Sequence, residues 1–284
     1  MISFAAVPSV MKKDRHVIEA LGMTKVVIEE GRVVEVGEPL LEYCPLFFKH
    51  RGIEKLTSEI VRKNIEFRIK DFGMCSPGRK MRMRDYLSFG ISELMGMCVS
   101  KGMLDCAVLA CDGAGTAVVD QPDLVQGIGG RISGLVETSP IDSVIAEIGR
   151  ERVLDPETAR IDQVAGARKA WDMGYRRIGV TVARGNDAAL LRKEFGESVV
   201  LFAVHTSGLD EEEARVLLDT CDMVTACASK HIWRLAKEKG VLQVGNKVPV
   251  FALTQVGKDI CSVRIEQMDL HINNGPEDPP RPLI

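Results

Sequence analysis

The sequence lacks the features that mark membrane, secreted and nucleic-acid-binding proteins. No apolar stretch approaches about eighteen uninterrupted residues, and residues 1–16 contain no long apolar core after a basic start. The 37 Lys and Arg residues are balanced by 40 Asp and Glu residues, and the net charge of −3 is spread along the chain. A basic footprint for nucleic acid is therefore missing. We expect a cytoplasmic protein that has neither a membrane nor a nucleic acid as partner.

Two phosphate-binding motifs are absent as well. A dinucleotide fingerprint that starts at Gly113 would need a glycine at position 118, which is Val118. One that starts at Gly127 would need a glycine at position 132, which is Ile132. No Gly-Lys-Ser or Gly-Lys-Thr follows a glycine loop, so the sequence has no Walker A motif. We find neither an NAD nor an ATP motif.

Close cysteine pairs are the third absence. The eight cysteines do not show the Cys-x-x-Cys spacing of zinc ribbons and ferredoxins, since they occupy positions 44, 75, 98, 106, 111, 221, 227 and 261. Disulfides are rare in a reduced cytosol. Each thiol is therefore expected to be either a small buried group or a ligand.

The pattern of strands and helices is the main positive signal. The 284 residues, of which 45% are hydrophobic, suffice for one large α/β domain and a smaller module. Strands are predicted at residues 107–110, 178–182, 199–204, 223–226 and 248–253. Helices are predicted between them, at residues 142–149, 161–173, 188–195, 210–220 and 230–239. Because this alternation is typical of right-handed βαβ units, we predict the α/β class, with a Rossmann-like parallel sheet covered by helices.

The same pattern divides the chain into three predicted regions. Residues 90–262 form the Rossmann-like domain. Residues 1–89 form a smaller α+β region, in which two β-branched runs around Gly31 predict a hairpin and Thr57 predicts the start of a helix. Residues 263–284 are proline-rich at their end and have little apolar periodicity, which predicts a flexible tail.

Glycines and polar residues follow the predicted strand at 107–110. The sequence there reads CDGAGT, and a second glycine cluster ends in GIGGR. Glycines at a strand exit can turn free N–H groups toward an anion, and ligands bind beyond the carboxyl ends of parallel strands. Two tight turns without a ligand are the alternative. The candidate ligand-binding residues are Asp112, Gly113, Gly115, Thr116, Gly129, Gly130, Arg131, Ser229 and Lys230.

Other predicted strands end in side chains with chemistry of their own. Arg184, His205 and Cys227 follow the strands at 178–182, 199–204 and 223–226. Cys227 also precedes a predicted helix, whose N-terminus lowers the pKa of a nearby thiol. Taken alone, a cysteine here is equally well explained as a small packing group. A lone histidine such as His205 is more often a hydrogen-bonded structural imidazole than a ligand.

Four thiols form a predicted metal site. Cys44 and Cys75 lie in proline-containing loops, and Cys111 and Cys227 lie at strand ends. If they converge in a cleft between the two regions, sulfurs about 2.3 Å from a common centre would hold a metal ion or an iron–sulfur cluster. The remaining cysteines are expected to be buried packing groups: Cys98, Cys106, Cys221 and Cys261.

Several long strings of the sequence resemble a known archaeal family. They include EYCPLFFKHRGIEKLT, IEFRIKDFGMC, LACDGAGTAVV, LVQGIGGRISGLVETSPI, RVLDPETARIDQVAGA, MVTACASKHI and VGNKVPVFALT. Between about His16 and Gly257 the chain resembles methanogenesis marker protein 8. The resemblance implies a cytoplasmic protein of methanogens with a role linked to the methane-forming pathway, and it implies no particular reaction.

Two functions remain open at this point. In the first, the protein is an accessory factor that binds a thiolate-ligated metal or iron–sulfur cluster during biogenesis or activation of a methanogenesis enzyme. Its partners would then be that enzyme or its assembly factors. In the second, it is an enzyme or binding protein for a phosphorylated or carboxylated small molecule, held by the glycine-rich strand ends. The many loop cysteines favour the first, and the absence of Cys-x-x-Cys spacing favours the second.

Overall fold

A computed structural model describes residues 14–85, 87–130, 134–245, 248–268 and 280–284. In these ranges the chain forms eleven strands: β1 (Arg15–Ala20), β2 (Thr24–Glu29), β3 (Arg32–Val36), β4 (Cys106–Cys111), β5 (Gly115–Val119), β6 (Gly134–Glu137), β7 (Ile178–Val182), β8 (Val199–Ala203), β9 (Met223–Thr225), β10 (Leu242–Val244) and β11 (Val250–Ala252).

The helices of the described ranges lie mostly between these strands. They are α1 (Pro45–Arg51), α2 (Ser58–Phe72), α3 (Ile91–Ser100), α4 (Pro122–Gly129), α5 (Asp142–Ile148), α6 (Gln163–Asp172), α7 (Gly185–Phe195), α8 (Glu211–Thr220), α9 (Lys230–Glu238) and α10 (Gln255–Met268). Short 3-10 helices occur at Leu21–Met23, Arg150–Arg152 and Gly196–Ser198. None of the helices in the described part of the chain is both long enough and apolar enough to cross a membrane.

The larger sheet is mixed, with the strand order β10-β11-β9-β8-β7-β4-β5. Its central strands β4, β7, β8 and β9 are parallel, as predicted. The prediction of a wholly parallel sheet is wrong at residues 248–253, because β11 runs antiparallel to both β9 and β10. Residues 245–249 connect β10 to β11, and so short a connection cannot make the crossover that parallel strands need. The protein is therefore of the α/β class, and the four parallel strands end at one edge of the sheet.

Helices cover both faces of this sheet, which explains why its strands are apolar on both sides. Leu109 of β4 packs on one face with residues of α3, α4, α5 and α10. Val108, its neighbour, packs on the other face with residues of α6, α7, α8 and α9. Two of these helices begin at clear capping residues. The Asp162 and Asp210 carboxylates accept hydrogen bonds from N–H groups in the first turns of α6 and α8.

The smaller sheet has the order β3-β2-β1-β6, and all its neighbours are antiparallel. The β2–β3 hairpin is the one predicted around Gly31, which takes a φ of +70°. Helix α2 packs Val61 and Ile65 against the apolar face of this sheet. Strand β6 comes from beyond the predicted boundary at residue 89, so the smaller sheet draws a strand from the larger region. That strand brings the two sheets together over the ends of β4, β7 and β8.

The predicted tail has two described parts. Residues 263–268 continue α10. Residues 280–284 run back against the body of the protein, where Arg281 pairs with Tyr43 and the N–H of Ile284 donates to the Ala228 carbonyl at 2.9 Å. Both parts are therefore joined to the folded body by backbone hydrogen bonds.

Candidate ligand cavity at the carboxyl ends of the strands

A cavity of about 490 Å³ lies where the parallel strands end. Leu109 and Ala110 at the end of β4, and Thr181 and Val182 at the end of β7, form one part of its wall. His205, which follows β8, lies beside them. This is the crevice in which open α/β sheets bind ligands, and its volume falls within the range of about 300–1,000 Å³ that is typical of small-molecule sites.

The smaller sheet and two helices complete the wall. Glu19 of β1 and Leu135 and Val136 of β6 face the cavity from the smaller sheet. Ser92 lies at the start of α3 and Gly129 is the last residue of α4. Both sheets therefore contribute residues to the wall of the cavity.

Three polar side chains of the wall have no partner within the described residues. Glu19, Arg184 and His205 line the cavity, and none of them forms a hydrogen bond or an ion pair there. By contrast, Gln163 is satisfied, since its amide donates to the Thr181 carbonyl at 2.8 Å and accepts from Thr116 at 2.9 Å. Unpaired polar groups in an otherwise largely apolar wall are what a ligand site requires.

Loss of solvent shifts the pKa of two of these groups. Loss of solvent raises the pKa of Glu19 above its ordinary value, while the charge of Arg184 opposes that rise. His205 is an exposed residue, and desolvation of its ring by the protein around it lowers its pKa. His205 is therefore neutral near pH 7, able to donate from one ring nitrogen and accept at the other.

The backbone holds Glu19 and His205 close together. His205 has a φ of +56°, a conformation that is uncommon for residues other than glycine and that recurs at functional sites. A Cβ atom on Gly134 would lie 3.3 Å from the Glu19 Cβ and 3.4 Å from the His205 Nδ1. Glycine at position 134 therefore lets β6 pass between the two side chains without filling the cavity.

Asp112, the predicted ligand carboxylate, has a structural partner instead. It is fully buried and accepts from the Arg79 Nε at 3.1 Å on both oxygens and from the Cys75 N–H at 2.7 Å. The Arg79 guanidinium also donates to the carbonyls of Lys80 and Gly127, each at 2.8 Å. Asp112 does not line the cavity, because Arg79 and the loop before it cover this strand end.

The first glycine cluster packs against protein in the same way. The Gly113 N–H donates to the Thr138 hydroxyl at 2.7 Å, and a Cβ at Gly113 would lie 2.9 Å from the Ile141 Cδ1. A Cβ at Gly115 would lie 2.2 Å from the Ala159 carbonyl oxygen. Thr116 is buried in β5 and bonds to Gln163. These three residues belong to a tight β-hairpin whose close contacts are with protein.

The second cluster divides between two cavities. Gly129 lines the cavity described above, and Gly130 lines a separate, smaller one. Arg131, predicted at the mouth of the site, lies outside the described residues.

Ser229 is the N-cap of α9, and its hydroxyl accepts a hydrogen bond from the Ile232 N–H at 3.3 Å. Lys230 begins that helix and lines neither cavity.

The four predicted metal ligands do not meet at one centre. The described residues contain no group of three or more His, Cys, Asp or Glu side chains arranged to hold a metal ion. The thiols lie instead as two pairs whose members influence each other electrostatically, Cys75 with Cys111 and Cys44 with Cys227. The other four cysteines are buried, as expected for packing groups.

Burial dominates the chemistry of these thiols. It raises the pKa of Cys227 to about 11, although the Thr225 hydroxyl lowers it in part. This direction is opposite to the lowering that the following helix predicted for Cys227, because burial penalises the thiolate. Burial also raises the pKa values of Cys44, Cys75 and Cys111. All four are neutral thiols near pH 7.

Fold and cavity together define an α/β protein with a ligand-sized crevice between a mixed sheet and a smaller antiparallel one. Residues 16–266 match the model of a family described as "Uncharacterized protein conserved in archaea (DUF2099)", and the chain belongs to this family. It is similar to a protein of Methanocaldococcus jannaschii named "Uncharacterized protein MJ0054". The two are 43% identical over 282 residues, which cover 95% of this chain and 100% of that protein.

Proposed function

We propose that the cavity at the strand ends binds a small molecule that carries a carboxylate or a phosphate. The observation that carries this proposal is the unpaired set of Glu19, Arg184 and His205 in one crevice beyond the parallel strands. A Rossmann-like arrangement of those strands, predicted from the sequence, would place a ligand at the same edge.

The wall indicates what the ligand looks like. Arg184 offers the planar fork of donors that binds a carboxylate or phosphate with two parallel hydrogen bonds. Glu19 attracts an amine or a hydroxyl group, and neutral His205 can either donate or accept. The apolar side chains of Ile91 and Leu109 suit a short carbon skeleton. The ligand is thus an organic acid with a second polar group.

A metal or iron–sulfur cluster is less well supported than this ligand. A thiolate site needs deprotonated sulfurs converging on one centre. In the described residues the candidate thiols form two pairs and have raised pKa values. We therefore attribute the proposed accessory role to binding of this ligand and not to binding of a cluster.

The first experiment is a thermal-shift screen with carboxylated and phosphorylated metabolites. A compound that binds the folded protein raises Tm in proportion to the logarithm of its concentration. Arg184→Gln should abolish the shift, and Arg32→Gln is the matched control, because Arg32 is an exposed arginine of β3 that lines neither cavity. A shift that survives Arg184→Gln unchanged would place the ligand elsewhere.

We further propose that the protein acts in the cytoplasm of a methanogen, in the setting implied by its resemblance to methanogenesis marker protein 8. The archaeal family and the relative from Methanocaldococcus jannaschii support this setting. Deletion of the gene should slow methane formation, and the Arg184→Gln protein should fail to restore it where Arg32→Gln succeeds. Normal methane formation in the deletion strain would contradict the proposal.

A further inference from the structure

The charged side chains of the cavity at the strand ends come from different sheets. Glu19 lies on β1 of the smaller sheet, whereas Arg184 follows β7 of the larger one. Among the described residues of the wall, Glu19 is the one acidic residue, and Arg184 is the one lysine or arginine. The wall therefore offers one negative and one positive group, and not a surplus of either sign.

These two charges act on each other without forming an ion pair. Loss of solvent raises the pKa of Glu19, and the charge of Arg184 opposes that rise. No ion pair joins the two side chains in the described part of the chain. A half-buried carboxylate without a counterion is unfavourable. A ligand cation placed beside Glu19 would remove this cost.

Asp187 is the other acidic residue that acts on Arg184. It lies in the first turn of α7 and does not line the cavity. Loss of solvent and the charge of Asp162 raise its pKa, and Arg184 lowers it. Within the described ranges its carboxylate forms neither a hydrogen bond nor an ion pair with Arg184. The fork of guanidinium donors therefore stays available to a ligand carboxylate.

His205 adds a second acceptor beside Glu19. Both side chains lie against Gly134, at which a Cβ atom would be 3.3 Å from the Glu19 Cβ and 3.4 Å from the His205 Nδ1. A primary ammonium group has three N–H donors, and a neutral imidazole accepts a hydrogen bond at one of its nitrogens. Glu19 and His205 can thus share one ammonium group, which the carboxylate alone would leave with unpaired donors.

Building on the function proposed above, we infer that the ligand is an amino acid with an apolar side chain, whose carboxylate binds Arg184 and whose ammonium group binds Glu19. A zwitterion matches a wall that carries one group of each sign. A dicarboxylate or a phosphate ester without an amino group would instead place a second negative charge near Glu19, which is unfavourable. Ile91, Leu109 and Leu135 belong to the apolar part of the wall, and such a surface suits the side chain of leucine, valine or phenylalanine.

The test compares three amino acids with the acids that lack only their amino group. The pairs are leucine with 4-methylpentanoate, valine with 3-methylbutanoate and phenylalanine with 3-phenylpropanoate, each titrated into the protein by calorimetry. At least one amino acid should bind, and its deaminated counterpart should bind at least tenfold more weakly, because a charge-assisted hydrogen bond is lost. In Glu19→Gln this preference should disappear. Glu35→Gln is the matched control and should keep it, since Glu35 is an exposed residue of β3 that lines neither cavity.

Arg184→Gln separates this inference from the proposed function, because it should weaken the amino acid and its deaminated counterpart alike. If both bind the wild type equally tightly and both are weakened by Arg184→Gln, the cavity binds acids and the assignment of an amino acid is overturned. That assignment is also overturned if Glu19→Gln keeps the preference, or if none of the three amino acids binds while another acid does. If no acid binds, or if Arg184→Gln leaves every dissociation constant unchanged, the proposed function fails as well.

The stability of unliganded Glu19→Gln gives a second readout. The substitution keeps the shape of the side chain and removes a carboxylate whose charged form is disfavoured by loss of solvent. Its Tm without ligand should therefore equal or exceed that of the wild type. A lower Tm with the preference for the amino acid retained would show that Glu19 serves the fold, and it would overturn the inference.

Discussion

The buried pair of Asp112 and Arg79 provides a sharp test of which polar residues serve the fold. Both side chains are fully enclosed, and the carboxylate faces three donor contacts, from the Arg79 Nε to each oxygen and from the Cys75 N–H. Asp112→Asn keeps the shape, removes the charge and leaves Arg79 buried without a counterion. Burial by itself lowers the pKa of Arg79, but Asp112 raises it above its ordinary value, so Arg79 stays charged in the wild-type protein.

The expected cost follows from that geometry. Removing one partner of a buried ion pair costs about 3–5 kcal/mol. For a protein of this size, each kcal/mol lowers Tm by roughly 2–4 °C, so Asp112→Asn should lower Tm by roughly 6–20 °C. Arg79→Met should cost a similar amount. The double variant Asp112→Leu with Arg79→Met should be much less destabilised than the sum of the two single changes, because it leaves no buried charge.

Differential scanning calorimetry measures all these variants, with Arg168→Gln as the control. Arg168 forms an exposed pair with Glu194 at 2.7 Å, so its loss should leave Tm nearly unchanged because water and salt screen such pairs. Folded Asp112→Asn should retain ligand binding at the strand-end cavity. If Asp112→Asn instead keeps its Tm but loses ligand binding, the carboxylate is a ligand residue and our assignment is wrong.

Three more substitutions examine the cavity and the thiols. Gly134→Leu should block ligand binding by filling the space between Glu19 and His205, at a stability cost of about 1–3 kcal/mol for overpacking. If a titration with the organic acid shows unchanged affinity, the ligand does not reach Glu19 and His205. His205→Gln should reduce the loss of stability on acidification, because desolvation lowers the pKa of His205 in the folded protein, so the unfolded chain takes up its proton first as the pH falls below about 6.5. Urea unfolding midpoints at pH 7.5 and 5.5 check this. An equal fall of the midpoint between these pH values in the wild type and in His205→Gln would contradict it. The alkylation rate of Cys227, followed by mass spectrometry with Cys227→Ser as the blank, should rise about tenfold per pH unit between pH 7 and 10, because its pKa is raised to about 11; a rate that is flat over this range would indicate a low pKa.

The larger sheet was predictable wherever strands and helices alternate in the sequence. Helices α6, α8 and α9 start within two residues of their predicted positions, since apolar periodicity and capping side chains give the same answer. Strand β11 was assigned the wrong direction because β10, only three residues long, gave no signal of its own. Because β10 was not predicted, nothing in the sequence indicated that the chain reverses direction between β10 and β11.

The cavity was only partly predictable. The rule that ligands bind beyond parallel strands pointed to Arg184 and His205, both of which line the cavity. The same rule selected Gly113 and Gly115, whose close contacts are with protein. A glycine that permits close approach looks the same in sequence whether the approaching atom belongs to a ligand or to protein. Glu19 had no signal at all, since its place in the wall depends on β6 pairing with β1, a contact between residues more than a hundred positions apart.

The dissociation constant of the tightest organic acid from the screen, measured by calorimetry for three proteins, tests the central claim most directly. The cavity predicts that Arg184→Gln binds this acid at least tenfold more weakly than the wild type, as expected when hydrogen bonds to a charged group worth about 1.5–3 kcal/mol are lost. Arg32→Gln should bind it as the wild type does. Equal constants for all three proteins, or no binding by any carboxylate or phosphate, would contradict a ligand site at the ends of β4, β7 and β8.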